Sequence, residues 1–327
     1  MGAPTALVTG ATGFVGSHVA EAFLARGYRV RCLFRPRGGS PWLDGLPVEA
    51  AYGDCLDPAS LERAAAGVEV IIHLAGRVRG WEPEEFHRVN VGGTVNMLGG
   101  ARRAGSGLRR FVHVSSLAAL GPSQDGHPLK EEEPLRPVSA YGRSKAEAEA
   151  AVLAASDALP TAIVRPPTVY GPRDRATRLY FACAARGVIP VFRRGGHLSL
   201  IYAADLARAL VLMAEHPGAS GEVFHVADPA PYAEADIVEA TRTALGGGVA
   251  VPIPPPLLRL AGALSEGVGR LTGRAFHLSR QKAEEILCRD WVCDVSKAIR
   301  ELGFRVTRTL ADGFRETVGW YRQHGWI

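Results

Sequence analysis

Along the first half of the chain, short apolar runs alternate with helix-like stretches, a pattern that predicts a parallel sheet covered by helices on both faces. Strands are predicted over residues 6–9, 29–34, 48–52, 70–75, 111–115 and 162–165, and helices over 15–26, 58–66, 84–104 and 140–155. Punctuation supports two of these helices. The first opens after Gly13 and closes at Gly27; the second starts with Pro58 behind Asp57 and stops at Gly67. Right-handed crossovers stack such units into a doubly wound sheet whose ligands lie at the carboxyl ends of the strands.

Beyond about Arg173 the alternation fades. Helices over 175–186, 204–215 and 234–244 mix with isolated strands over 198–202 and 223–226, and Pro252 to Pro256 are expected to form neither regular helix nor central strand. Apolar helical stretches follow over 257–271, 279–287 and 310–324. The expected fold is therefore α/β: a Rossmann-type doubly wound parallel sheet with a smaller C-terminal α/β substrate cap. Residues 1–173 make up the dinucleotide-binding domain and 174–327 mainly the cap, with some later segments returning to the sheet.

Composition narrows the class. The chain has 327 residues, 47% hydrophobic and 22% charged, enough for a large buried core. No apolar run approaches the roughly 20 residues of a membrane span, so no membrane partner is expected. Residues 1–7 lead into a strand without the basic segment and apolar core of a signal peptide, which makes a cytoplasmic location the expectation. The five cysteines (Cys32, Cys55, Cys183, Cys288, Cys293) are scattered and unpaired in spacing, so neither a disulfide framework nor a zinc site is expected. The net charge of +5 is dispersed rather than gathered in one run, and no nucleic-acid partner is expected.

Chemistry enters at the first turn. Thr9-Gly-Ala-Thr-Gly-Phe-Val-Gly16 joins the first strand to the first helix. Its three glycines allow a tight turn, close backbone approach to a pyrophosphate and close helix-to-strand packing, while the helix N-terminus offers free N–H donors to the anion. The second strand ends in Phe34-Arg35-Pro36-Arg37 without the acidic residue that usually accepts from a ribose diol. A guanidinium at Arg35 suits a 2′-phosphate, so the expected cofactor is NADP, with NAD as the alternative.

These residues, taken in order with later ones, resemble the extended short-chain dehydrogenase/reductases, the NAD-dependent epimerase/dehydratase family, over nearly the whole chain. The further landmarks are Gly53-Asp-Cys-Leu56, His73-Leu-Ala-Gly76, Asn90-Val-Gly-Gly-Thr94, Val114-Ser-Ser116, Tyr141-Gly-Arg-Ser-Lys145, Arg165-Pro-Pro-Thr-Val-Tyr-Gly-Pro172 and Ile201-Tyr-Ala-Ala-Asp205. The resemblance implies catalytic roles for Ser116, Tyr141 and Lys145. It implies cofactor contacts at Gly10, Thr12, Gly13, Phe14, Val15 and Gly16, at Arg35, Asp54 and Cys55, at Leu74, Ala75, Gly76, Asn90 and Pro167, and at Tyr141 and Lys145. It also implies a homodimer, paired through the helices 84–104 and 140–155, and a small-molecule substrate. Ser116 is preferred to Ser115 because it precedes Leu117-Ala-Ala-Leu-Gly121 at the family's usual distance.

Tyr141 and Lys145 stand four apart on one helix face. An ammonium beside the phenol is expected to lower its pKa from about 10 toward working pH, which makes the tyrosine an acid and base. His73, His113 and His225 lie in strands and are expected to be packed or hydrogen-bonded groups, and no metal is expected. Thr168 stands where sugar-nucleotide enzymes of the family carry an Asn, and Leu117 and Ala118 replace the dehydratases' acidic pair. Together with Arg35 and Asp290-Trp-Val-Cys-Asp294, this pattern is closest to the dihydroflavonol-reductase and 3β-hydroxysteroid-dehydrogenase branch. The expected reaction interconverts a secondary alcohol and a ketone on a mainly apolar substrate. The alternatives are a nucleotide-sugar epimerase with tightly held NAD, and a catalytically silent nucleotide- or RNA-binding scaffold.

Overall fold

The computed structural model describes residues 2–36, 38–105, 107–192 and 195–327. Arg37, at the end of the predicted ribose-binding turn, lies outside the described residues. Six strands of the central sheet come from the first half of the chain: β1 (Thr5–Thr9), β2 (Arg29–Phe34), β3 (Val48–Tyr52), β4 (Val70–His73), β5 (Arg110–Val114) and β6 (Thr161–Arg165). A seventh, Val223–His225, returns from the second half and pairs with β6. All seven are parallel, and the order runs from Val223–His225 through β6, β5, β4, β1 and β2 to β3.

The strands alternate between two apolar layers because both faces of the sheet are buried. Ala6, Val8, Val70, Ile72, Val112, Val114, Ala162 and Val164 point into one core, where helix α1 (Phe14–Ala25) contributes Val19 and Phe23 and helix Ala203–Glu215 contributes Leu206, Leu210 and Met213. Leu7, Ile71, Phe111 and Ile163 point into the other, against Leu61 of α2 (Pro58–Ala65) and helices from the middle of the chain. The chain order reverses between β1 and β4, so the turn after β1 and the end of β4 frame the crevice where ligands bind in such sheets.

The predicted helix over 84–104 is a continuous rod of three pieces: α3 (Pro83–Phe86), a wider π turn over His87–Gly92, and α4 (Gly93–Arg103). Such π turns are rare and concentrate at functional sites. The short α5 (Leu117–Leu120), not expected from the sequence, follows β5, and α6 (Ala140–Leu153) matches the predicted catalytic helix.

In the second half, the expected strand over 198–202 is broken at Ser199. Leu198 pairs with Tyr232, and Leu200–Tyr202 pairs with Thr168–Tyr170. Ser199 itself donates its N–H to Trp291 and accepts from the Cys293 N–H, so its backbone and hydroxyl are committed to the C-terminal segment. The Pro-rich stretch also differs from expectation. Pro252 closes the strand Val249–Pro252, and Pro255 and Pro256 open the helix Pro255–Thr272. A proline is compatible with a helix's first turn, whose N–H groups have no intrahelical acceptor.

Candidate active site

Every sequence-predicted site residue lies at or beyond the carboxyl end of a sheet strand, or on a helix facing that edge. Gly10 ends β1 with φ +72°, and a Cβ there would lie 2.9 Å from the Ala75 nitrogen. A Cβ on Gly16 would overlap the Gly10 carbonyl group. Both glycines therefore let the first turn, α1 and the end of β4 approach one another. Gly13 sits at the N-cap of α1 with no side-chain cap, and the first turn carries no acidic residue. This leaves backbone donors turned outward and uncontested, which fits the pyrophosphate of a dinucleotide. Thr12, Phe14 and Val15 complete the turn, and the Thr12 carbonyl accepts from the Ser40 hydroxyl at 3.3 Å.

Arg35 is exposed just past β2, and its positive charge bears on the Cys55 thiol. Asp54 follows β3 and accepts from the Leu56 N–H at 2.8 Å. Cys55 is buried, with its thiol pushed up to about 12 and its carbonyl accepting from Asn96. Leu74, Ala75 and Gly76 extend β4 along the crevice, and Pro167 is buried just past β6.

Asn90 occupies the π turn and is almost wholly buried. Its amide oxygen accepts from the Arg77 N–H at 2.6 Å, while both donors are used, one on the Arg77 carbonyl and one on Ser144 Oγ of α6 at 2.8 Å. Asn90 thus holds the end of β4 against α6. Next to it runs a second chain of hydrogen bonds. Thr94 donates to the Asn90 carbonyl at 2.6 Å, so toward His73 Nε2 its oxygen can only accept. His73 is therefore protonated at Nε2, and its Nδ1 accepts from the Thr9 hydroxyl at 2.9 Å. Thr9 accepts in turn from the Ala75 N–H. Burial drives the His73 pKa down to about 3 and keeps the ring neutral.

Ser115 and Ser116 part company after β5. The Ser115 hydroxyl is committed to Glu149, which is 1% exposed and also holds Arg165 through three N–H contacts of 2.8 to 3.1 Å. Ser116 caps α5, accepting from the Ala118 N–H at 3.1 Å. Its hydroxyl is directed at the Tyr141 phenol.

Lys145 is buried and donates to the Val114 carbonyl at 2.7 Å. Burial lowers its ammonium to about 8, and the Glu149 carboxylate acts in the opposite direction. The Tyr141 phenol departs from the expectation that its neighbour acidifies it. Burial dominates and pushes it up to about 12; the Ser116 hydrogen bond pulls back, and Glu285 pushes further. Lys145 is not among the groups that shift it, and its head group donates to the Val114 carbonyl.

Two site groups come from the cap and carried no motif. The Gln281 side chain accepts from the Ala140 N–H at 2.8 Å, capping the start of α6, and Glu285 sets its charge near Tyr141. Both lie on or beside the helix Arg280–Leu287. Their only sequence signal is an amphipathic stretch with no spacing relation to Tyr141. The strand histidines His113 and His225 are fully buried in the sheet.

Comparison with known proteins agrees with this geometry. The profile of the NAD dependent epimerase/dehydratase family matches residues 6–227. The chain is 36% identical over 323 residues to a ceramide reductase of Caulobacter vibrioides, covering 98% of this chain and 95% of that protein. It is 30% identical over 336 residues to a UDP-glucose 4-epimerase of Vibrio cholerae, covering 95% and 93%. Among solved structures, gox2253 superposes with a TM-score of 0.81 at 31% identity, covering 99% of each chain. Among the described residues, no helix is long and apolar enough to cross a membrane. The chain belongs to the NAD-dependent epimerase/dehydratase family and is an NAD(P)-dependent enzyme of the extended short-chain dehydrogenase/reductase type.

Proposed function

We propose that this protein reduces a ketone to a secondary alcohol, or runs the reverse, on a mainly apolar substrate with NADP as its dinucleotide. The observation that carries the reading is the Ser116 hydroxyl directed at the Tyr141 phenol, with the neighbouring Ser115 committed elsewhere. A substrate carbonyl entering this gap accepts from Ser116 and from the phenol. The bound dinucleotide supplies the hydride. Tyr141 gives its proton to the oxygen as charge develops there, and a phenol held near 12 stays protonated and ready to donate at neutral pH. Lys145, at about 8, can carry a proton between the site and bulk water close to working pH. The apolar substrate is supported by the similarity to a ceramide reductase and by Thr168 at the sugar enzymes' Asn position. NADP is supported by Arg35, exposed beyond β2, and by the lack of an acidic residue in Phe34-Arg35-Pro36-Arg37.

The similarity to a UDP-glucose 4-epimerase favours a second reading, epimerisation with recycled cofactor. Net NADPH consumption with long-chain ketones separates the two, since an epimerase forms product without it. In that assay Tyr141→Phe should lower kcat by at least about a hundredfold while NADPH affinity stays within about twofold. A variant with full turnover would remove Tyr141 from the mechanism, and tighter binding of NADH than NADPH would remove the cofactor assignment.

A further inference from the structure

The helix Pro255–Thr272 packs inward through Leu258, Gly262 and Gly269. Gly262 runs so close to its neighbour that a Cβ would lie 2.8 Å from the Ser279 carbonyl oxygen. The opposite face carries the apolar residues. Leu257, Leu260, Leu264, Val268 and Leu271 recur at steps of three and four, and are 53%, 54%, 62%, 50% and 89% exposed. Phe276, just past the helix end, is 43% exposed. A helix of a soluble protein normally turns such a stripe toward the core. Here it forms an outward ridge about 21 Å long.

The charge around the ridge is net positive: Arg259, Arg270 and Lys282 each pair with a glutamate, while Arg274 and Arg280 add exposed positive charge. Segment 255–289 contains six Arg and Lys residues against three Glu. At its far end Arg79, Lys282 and Arg175 crowd His277, and their charges add to burial in driving that imidazole down to about 4. The helix also borders the catalytic cleft. Arg270 bonds Glu82 at 2.9 Å beside Trp81, and the next helix delivers Gln281 and Glu285 to Tyr141's side of the site.

We propose that this face docks on the anionic surface of a lipid bilayer, laying the leucine ridge into the interface and placing the cleft mouth where an apolar substrate leaves the membrane. An apolar stripe rimmed by basic side chains is what interfacial helices use. A second copy is a poorer occupant, since two basic rims would face each other. The docking rests on the ridge and its charge; only the delivery of substrate rests on the apolar-substrate reading above.

The test is co-sedimentation of the full chain with phosphatidylcholine vesicles, with and without phosphatidylglycerol. Wild type should pellet with the anionic vesicles and be released by salt. Leu260→Gln/Leu264→Gln should weaken partitioning at least about tenfold, and Arg274→Glu/Arg280→Glu should erase the preference for phosphatidylglycerol. Both variants should keep wild-type melting and NADPH affinity, because the substituted side chains face solvent. Wild type that stays in the supernatant, or variants that bind as well as wild type, would overturn the proposal. So would a wild-type dimer that the leucine variant dissociates, because the ridge would then be a self-association face. Vesicle binding without turnover of long-chain ketones would sink the substrate reading and leave the docking face; turnover without vesicle binding would do the opposite.

Discussion

Glu149→Gln probes whether the buried network behind the catalytic strand holds the site together. Glu149 and Arg165 are 1% and 4% exposed, and the guanidinium reaches both carboxylate oxygens while its Nη1 donates to the Glu131 carbonyl. Two charges about 4 Å apart attract by roughly 4 kcal/mol at an effective dielectric near 20. The amide keeps the shape but removes the charge and turns one acceptor into a donor aimed at a guanidinium. Leaving one partner of a buried pair uncompensated costs about 3–5 kcal/mol. Relief of the carboxylate's own desolvation argues for the lower end, about 3 kcal/mol. For a chain of this size that lowers Tm by roughly 4–5 °C, readable by calorimetry. The same substitution removes the charge that holds the Lys145 ammonium up against burial, so the lysine should fall below about 8 and the alkaline limb of the activity profile should move to lower pH. Adding Arg165→Met should recover much of the lost stability, since no unpaired charge remains. A fall in Tm below about 2 °C, with an unmoved pH profile, would refute this account.

Acid should destabilise the protein early. His73 and His225 are held down to about 3 and His113 well below its usual value, each by burial. The unfolded chain takes up these protons near pH 6.5, so their contribution is present above that pH and is lost as pH falls toward 3. From pH 6.5 to 5.5 the loss should be about 1 kcal/mol per histidine, roughly 3 kcal/mol together; a urea midpoint that does not change over this interval would count against it. Gly16→Ala should push α1 away from β1, because the added methyl overlaps the Gly10 carbonyl, and should weaken NADPH binding at least about tenfold in a fluorescence titration. Unchanged affinity would mean that the turn does not form the cradle.

What could be read in the sequence was set by local pattern. β2 and β3 have the predicted ends, and α1, α2 and α6 lie within one or two residues of theirs, because a glycine, a proline or a change of period marks each boundary. The π turn at His87–Gly92 left no boundary mark: Val89, Asn90 and Gly92 are weak helix formers, but nothing in them specifies a π turn rather than an α turn, and it is distinguished by how Asn90 is used. The break at Ser199 is also set from afar, by partners near residues 291 and 293. The preference for Ser116 over Ser115 comes from resemblance; that a carboxylate 34 positions away claims the first hydroxyl is visible only in the fold. The acidity of Tyr141 differs from the expectation because spacing shows the neighbouring lysine but neither the burial of the phenol nor the Glu285 charge, which comes from a helix more than 130 residues downstream.

The buried network explains how the turn after β1 and helix α6, from distant parts of the chain, keep their relation. Hydrogen bonds run in one direction from the Ala75 N–H through Thr9, His73 and Thr94 to the Asn90 carbonyl, and the Asn90 amide continues to Ser144, one residue before Lys145. Each hydroxyl in the run accepts once and donates once, so the run is complete only with a neutral imidazole. A second proton on His73 would aim a donor at Thr9 and leave the Thr9 hydroxyl hydrogen without an acceptor inside the core, a cost of about 1–3 kcal/mol. Burial prevents that by holding the ring near 3. The relation between the first turn and α6 is thus fixed by buried groups of the sheet domain, whereas Gln281 and Glu285 reach the site on a separate helix. Substitutions in that helix can retune the pocket and the phenol without disturbing the nucleotide turn.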